Sequence, residues 1–379
     1  MSLTDRIGAE AAAWIDGAPA SLEDAAAAAA QILARSAQPL IAGLGADIEG
    51  ARAAIALAER VGGVVEHMHS AGLMRDLESL RESGVMLTTP AEARARADVV
   101  LLVGDGLPAT WRGLSERLLR PRARPDSVDI RRSIVWLASQ ADATIPGFDG
   151  DIEIIAAGLG TRLAANLAAL RARVKGRPVG RAQIPVPTLD ALAAKLKGAR
   201  FSVAVWTAAS LGALEIEMVN GLARDLNETT RFSTLPLAAP DNASGVLAAC
   251  GWMIGFPMRT GFGAGAPVHD PWRFDAERLV ASKETDCVVW ISAFGGRTPA
   301  WRGALNFIAL CGRTTEFAEE PNVRIVVGRP GVDHDGVVHS PDAGTLVAVA
   351  ASAPSAAPSV AQALERIAAY LGKDRTPSC

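Results

Sequence analysis

Cysteine is scarce in this chain, and none occurs in the N-terminal half. The four in 379 residues are Cys250, Cys287, Cys311 and Cys379, and no two form a C-x-x-C pair. That spacing excludes a zinc ribbon or a dithiol redox motif. The first three sit in apolar runs and read as free thiols that pack as small hydrophobes. No apolar run reaches the length of a bilayer span. The alanine run Ala25–Ala30 is short and reads as helix interior, and the first residues lack the pattern of a secretory signal. Basic blocks are also missing, and the net charge is only −3. Nucleic acid and anionic membrane are therefore not expected partners, and a soluble cytoplasmic protein is. There is no G-x-S-x-G elbow, no G-x-x-x-x-G-K-[ST] loop and no H-E-x-x-H helix. Tyrosine occurs once against eight tryptophans. Tryptophan favours protein interfaces, so this balance points toward association.

The segments that are present alternate between strand and helix. Pro39–Gly43 and Val64–Met68 read as strands around a helix from Asp47, its N-cap, to Gly62, its C-cap. Asp98–Val103 is a continuous apolar run, as parallel strands buried on both faces require. Ser133–Ala138, Phe201–Trp206, Arg231–Leu235, Asp286–Ile291, Val323–Gly328 and Thr345–Ala350 follow as strands. Helices are expected near 74–82, 90–97, 162–174, 189–197, 211–227, 243–253, 273–282 and 359–371. The Gly/Pro-rich run 255–271 is expected to be irregular. The chain is too long for one simple core. It divides on this reading into an N-terminal helical segment (1–37), a first Rossmann-like unit (38–140), a helical connection (141–200), a second Rossmann-like unit (201–350) and a linker with a closing helix (351–379). The expected fold is α/β, with doubly wound parallel sheets. An internal echo supports two such units. Asp98-Val-Val-Leu-Leu-Val precedes Gly104 and Trp111-Arg112-Gly113, and Asp286-Cys-Val-Val-Trp-Ile precedes Gly295 and Trp301-Arg302-Gly303. Trp111-Arg112 and Trp301-Arg302 are candidate interface anchors, or simply core.

In open α/β sheets, ligands sit beyond the carboxyl ends of the strands. The loops expected there carry Gly43 and Gly45, then Gly104, Asp105 and Gly106, then Phe294–Arg297. Gly43-x-Gly45 begins like a dinucleotide fingerprint, but Ile48 holds the third glycine position. Two glycines alone are a weak signal, and a tight strand-to-helix turn accounts for them better than a phosphate site does. His67 and His69 fall on one face of an expected strand end, and are either a nitrogen ligand pair lacking a third ligand or a satisfied polar strand end. His334 and His339 flank an Asp-Gly turn.

Four stretches together resemble the molybdopterin-binding B subunit of formylmethanofuran dehydrogenase. They are Gln38–Gly45 through Glu59 with Gly62-Gly63-Val-Val, Ala97–Pro108, Gly251–Met258 with the run after it, and Gly331–His339. The resemblance covers about 21–352 and extends to the shortened B subunit of the formyltransferase/hydrolase complex of methylotrophic bacteria. It implies a molybdopterin-oxidoreductase-like core without the iron–sulfur domain, because the family's cluster needs thiolates that are absent before Cys250. The family's tungsten or molybdenum ligand, a cysteine, aligns near Gly72, which has no side chain. No metal and no cofactor are therefore expected. Gly43, Gly45, Gly72, Gly104, Asp105 and Gly106 would line a vestigial cleft, with His67 and His69 as the remaining nitrogen donors. The resemblance further implies an amidohydrolase-like A subunit, a C subunit and a formyltransferase D subunit as partners. The complex passes a formyl group from tetrahydromethanopterin to a methanofuran-type carrier and releases formate in one-carbon metabolism. On this reading the chain is a non-catalytic scaffold. The alternatives are an active pterin-dependent oxidoreductase and a nucleotide-binding module.

Overall fold

The computed structural model describes residues 12–120, 132–180, 182–302 and 305–372. Most of the basic stretch Leu119–Asp126, and Arg181, Gly303 and Cys379, lie outside them. The chain forms two units. One is drawn from Met1–Ser70, Asp241–His339 and Leu346–Cys379, the other from Ala71–Pro240 and Ser340–Thr345.

The second unit is a five-stranded, wholly parallel sheet in the order Glu153–Ala156, Ser133–Ala138, Val99–Val103, Ser202–Trp206, Phe232–Pro236. Side chains alternate between its faces. Val99, Leu101 and Val103 pack with Leu163, Leu167, Leu192 and Val219 on one side, and Val100 and Leu102 with Leu107, Trp111 and Leu118 on the other. Both faces are thus covered, which explains why the central strand is apolar at every position. The order reverses between Val99–Val103 and Ser202–Trp206.

The first unit holds a nine-stranded sheet. Its parallel middle runs Val64–Val65, Pro39–Gly45, Cys287–Ser292, Asn306–Cys311, Val323–Val326. Short antiparallel strands finish each edge: Thr260–Gly261 with Val268–His269, and Ala13–Ile15 with Ala18–Ala20. Here the order reverses between Pro39–Gly45 and Cys287–Ser292. The helix Ile48–Val61 starts where the Asp47 carboxylate accepts the Gly50 N–H and stops at Gly62 in the left-handed region. The helix Val360–Tyr370 opens with a full capping box between Ser359 and Gln362.

The echo in sequence marks the same topological place twice. Asp98 and Asp286 each precede a central strand that borders the reversal. The Asp98 carboxylate accepts the N–H groups of Arg200 and Phe201, and the Asp286 carboxylate those of Ala37 and Gln38. Each aspartate thus fixes the entry of the neighbouring parallel strand.

Several expectations need correction. The division at 38–140 and 201–350 is not the one the strands make. Ser202–Trp206 and Phe232–Pro236 join the sheet built around Val99–Val103, and Pro39–Gly45 joins the later strands. An apolar strand carries no record of its partner, so chain order alone misassigns it. Asn306–Cys311 is an additional central strand. The run 255–271 contains the strands Thr260–Gly261 and Val268–His269, and Val64–Met68 is a strand only at Val64–Val65. Trp111 is buried, and Trp301 packs edge-to-face on Trp290 in the core, 5.8 Å between ring centres, so neither indole is an exposed anchor.

Candidate functional site

The loop Gly104–Gly106 lies at the strand reversal of the second unit. A Cβ on Gly104 would stand 2.7 Å from Leu211 Cδ2, and both glycines have positive φ. The Trp136 indole N–H donates to the Gly104 carbonyl (2.8 Å), Asp105 Oδ1 accepts the Ser139 N–H (3.0 Å), and the Ser210 hydroxyl donates to the Asp105 carbonyl (2.7 Å). The carbonyls of Gly104 and Asp105 and one Asp105 carboxylate oxygen are thus engaged within the protein.

Gly43 and Gly45 lie at the reversal of the first unit. The ladder to Cys287–Ser292 shifts register here, with Ala42 opposite Trp290 and Gly45 opposite Ser292. The bulge leaves Gly43 so close that a Cβ would meet the Ile291 carbonyl oxygen at 2.5 Å. Gly43 is thus required by its neighbouring strand, without any ligand.

The histidine pair stands beside that bulge, in a network the sequence did not reveal. His67 is buried. Its Nδ1 accepts the His69 backbone N–H (3.0 Å), so its Nε2 carries the proton donated to the Asp241 carbonyl (3.2 Å). Burial first, then the neighbouring His69, pushes its pKa down to about 4. The ring is neutral, and its lone pair is occupied. His69 Nε2 lies 3.0 Å from Asp241 Oδ2, which also meets Arg297 Nε at 3.3 Å. Burial opposes ionisation of Asp241, but the hydrogen bond and charge of His69 and the charge of Arg297 hold its carboxyl below the usual range. Asp241 and Asn242 both adopt positive φ. Asn242 donates to the Ala46 carbonyl (2.7 Å) and accepts the His339 N–H (2.8 Å). The sequence signal for these residues was Pro240-Asp241-Asn242, since Asp and Asn tolerate that backbone region best.

A second buried charge cluster lies in the same unit. Arg259 reaches Glu66 at 3.2 Å and Asp275 at 2.6 Å, and the Ser70 hydroxyl donates to Glu66. Burial outweighs Arg259 and raises the Glu66 carboxyl to about 8. Burial thus favours the protonated form of Glu66, and Arg259 also has Asp275 as a counter-charge.

Gly72 is not in a loop. It occupies the first turn of the helix Ser70–Ser83, where a Cβ would lie 3.4 Å from the Ala208 backbone and side chain. The position has room for a methyl group in tight contact and offers no donor. The described cysteines do not compensate. Burial pushes the thiols of Cys250 and Cys287 up to about 12 and raises that of Cys311, so none supplies a thiolate. Among the described residues, no group of three His, Cys, Asp or Glu is arranged to hold a metal ion. The residues present do not fit a thiolate-ligated tungsten or molybdenum centre.

An open cavity of about 680 Å³ remains in the first unit, beyond the carboxyl ends of Cys287–Ser292, Asn306–Cys311 and Val323–Val326. Gly295, Gly296, Arg313, Thr314 and Arg329 are among its lining residues.

No family model matches the chain. It is 34% identical over 351 residues, 92% of this chain and 93% of the relative, to the B subunit of the formyltransferase/hydrolase complex Fhc of Methylorubrum extorquens. It is 23% identical over 343 residues, 83% of this chain and 74% of the relative, to the B subunit of the tungsten-containing formylmethanofuran dehydrogenase 2 of Methanocaldococcus jannaschii. Among solved structures it matches a chain of the crystal structure of the formyltransferase/hydrolase complex (FhcABCD) from Methylorubrum extorquens in complex with methylofuran. That match has a TM-score of 0.85 and 34% identity, covering 95% of this chain and 98% of that one. Fold and comparisons together define an α/β protein distantly similar to the B subunits of formylmethanofuran dehydrogenases. More narrowly, the chain belongs to the family formed by the B subunits of formyltransferase/hydrolase complexes.

Proposed function

We propose that the chain is a non-catalytic structural subunit of a formyltransferase/hydrolase complex. It holds an amidohydrolase-like A subunit, a C subunit and a formyltransferase D subunit in one assembly. That assembly passes formyl groups from tetrahydromethanopterin to a methanofuran-type carrier and releases formate. The near full-length similarity to the Fhc B subunit carries this reading. The glycine at position 72, and the Gly104 and Asp105 groups bonded within the protein, agree with it. No helix among the described residues is long and apolar enough to cross a membrane, and we place the complex in the cytoplasm.

The test is reconstitution. The four subunits are co-expressed with and without this chain, and assembly and formate release are measured. Loss of assembly without the chain supports the reading. A fully assembled, fully active complex lacking it overturns the reading. The cavity beside Gly295 and Gly296 favours a second reading, a nucleotide-binding module. A thermal shift with millimolar dinucleotide would favour that module, because a ligand of the native state raises stability by mass action.

A further inference from the structure

Among the described residues of the first unit, the exposed large aromatic side chains are Trp252, Phe256, Trp272 and Tyr370, and all but Tyr370 lie in one stretch of chain. Only two of the eight tryptophans are more than half exposed, Trp252 at 65% and Trp272 at 73%. Trp252 and Met253 end the helix Ala243–Ile254, which is apolar over nearly its whole circumference. A helix of that composition is normally enclosed. Here its last turn faces outward, flanked by Gly251 and Gly255, which have no neighbouring atom within Cβ contact.

Phe256, just past the helix, stacks on His269 at 6.1 Å between ring centres. This contact joins the helix end to the edge strand Val268–His269, where Val268 is also exposed. Trp272 follows three residues later, with the Arg278 guanidinium 4.7 Å from its ring centre. Charges lie at its edge. Arg278, over the Trp272 ring, pairs with Glu284, and Asp270 and Arg273 flank Trp272 in the chain. The exposed side chains that make up the centre of the surface are apolar. A partner that fits it must present an apolar patch to that centre, because an unpaired charge buried there would be costly. The five side chains expose on the order of 500 Å². That is the size of the apolar centre of a standard interface, which takes about 800 Å² from each partner. It is small for the central patch of an obligate homodimer.

We infer that Trp252, Met253, Phe256, Val268 and Trp272 form the docking surface for a different subunit of the formyltransferase/hydrolase complex, which meets them with an apolar patch of its own. The inference rests on the reading proposed above. The Methylorubrum chain matched over 98% of its length is likewise crystallised in a four-component complex.

The experiment co-expresses the tagged chain with the other three subunits and compares wild type with Trp252→Glu/Trp272→Glu. The expected result is full recovery of partners by the wild type, and at least a roughly tenfold loss of one partner for the variant. Thermal melts of the isolated variant check that it is folded. Amide exchange on the wild type gives a second readout that needs no variant. Residues 251–256 and 268–272 are expected to exchange more slowly in the complex than in the free chain. Unchanged recovery by a folded variant, or unchanged exchange, overturns the docking surface and leaves the proposed function standing. A dimer of the free chain that the double substitution dissociates also overturns it, because a second copy then covers the surface. Failure of the wild type to recover any partner removes both proposals.

Discussion

His69 and Asp241 meet at 3.0 Å beside the bulge at Gly43, and the carboxylate is shared with Arg297. The Asp241 side chain is only 5% exposed, so its charge is balanced by protein groups rather than by water. Asp241→Asn removes the anion and leaves two donors facing a neutral amide. The expected loss is about 2 kcal/mol, read from urea denaturation at neutral pH. The carboxyl's pKa is lowered in the folded state. Its contribution is therefore present at all pH values above the usual carboxylate range and is lost only as pH falls through the lowered value. The wild-type advantage over the variant should shrink as pH falls below the usual carboxylate range, and an advantage that persists unchanged there would contradict this account.

His67 produces a slope in the acid range. Unfolded, the ring takes a proton near pH 6.5; folded, it resists protonation down to about 4. Between those values the unfolded state binds more protons, so stability rises with pH. The shift corresponds to about 3 kcal/mol. His67→Gln keeps one acceptor and one donor but does not titrate. The stability curve of this variant should be flatter than wild type between pH 4 and 6.5.

Glu66 acts in the opposite sense. Its folded-state pKa of about 8 lies above the unfolded value of 4.5, so the folded protein holds the proton that the unfolded chain releases. Wild-type stability from this group falls as pH rises across that window. In Glu66→Gln, a neutral isostere, Arg259 keeps its pair with Asp275. Relative to wild type, the variant is expected to gain stability steadily from pH 5 to pH 8. A gain that shrinks over that range would show that the Arg259 contact keeps Glu66 ionised.

Gly72→Cys tests whether the missing metal ligand is the whole deficit. The Cβ reaches Ala208 at 3.4 Å, and among the described residues no group of three His, Cys, Asp or Glu is arranged to hold a metal ion. Elemental analysis of the variant should find no stoichiometric tungsten or molybdenum, with a melting temperature within a few degrees of wild type. Bound metal at one equivalent would contradict this account.

Gly43→Ala should behave in the opposite way. A methyl group would collide with the Ile291 carbonyl, in a backbone region unfavourable to L residues. The expected cost is about 3 kcal/mol or more, large enough to show as poor soluble yield as well as a lower melt.

The sequence displayed the class of fold clearly. Val99–Val103 and Cys287–Ser292 are apolar at nearly every position, and Asp47 and Gly62 bracket their helix as side-chain chemistry predicts. The partition into units was hidden, because parallel strands pair across long intervals and their side chains do not name a neighbour. Gly43 stands out in the sequence as half of a Gly-x-Gly pair, and the structure gives it a steric reason, the approach of Ile291. The His67–His69 pair was visible, whereas its partners Asp241 and Arg297 come from more than 170 positions away and share no spacing rule with it. Tryptophan content pointed to association, yet the indoles placed outward are Trp252 and Trp272 rather than Trp111 and Trp301. An exposed and a core tryptophan are alike in sequence when both lie in apolar surroundings.

The insertion of one unit within the other sets a timetable for synthesis. Pro39 pairs with Cys287, so the strand that begins at residue 39 waits for one made much later. At about 5–20 residues per second, that interval is on the order of 10–50 s. The stretch Ala71–Pro240 emerges in between and contains all five strands of its own sheet. It can close on the ribosome while Pro39–Gly45 still has an open edge. Yield in the cell then depends on how well that nascent edge is shielded from other chains, independently of how stable the finished protein is.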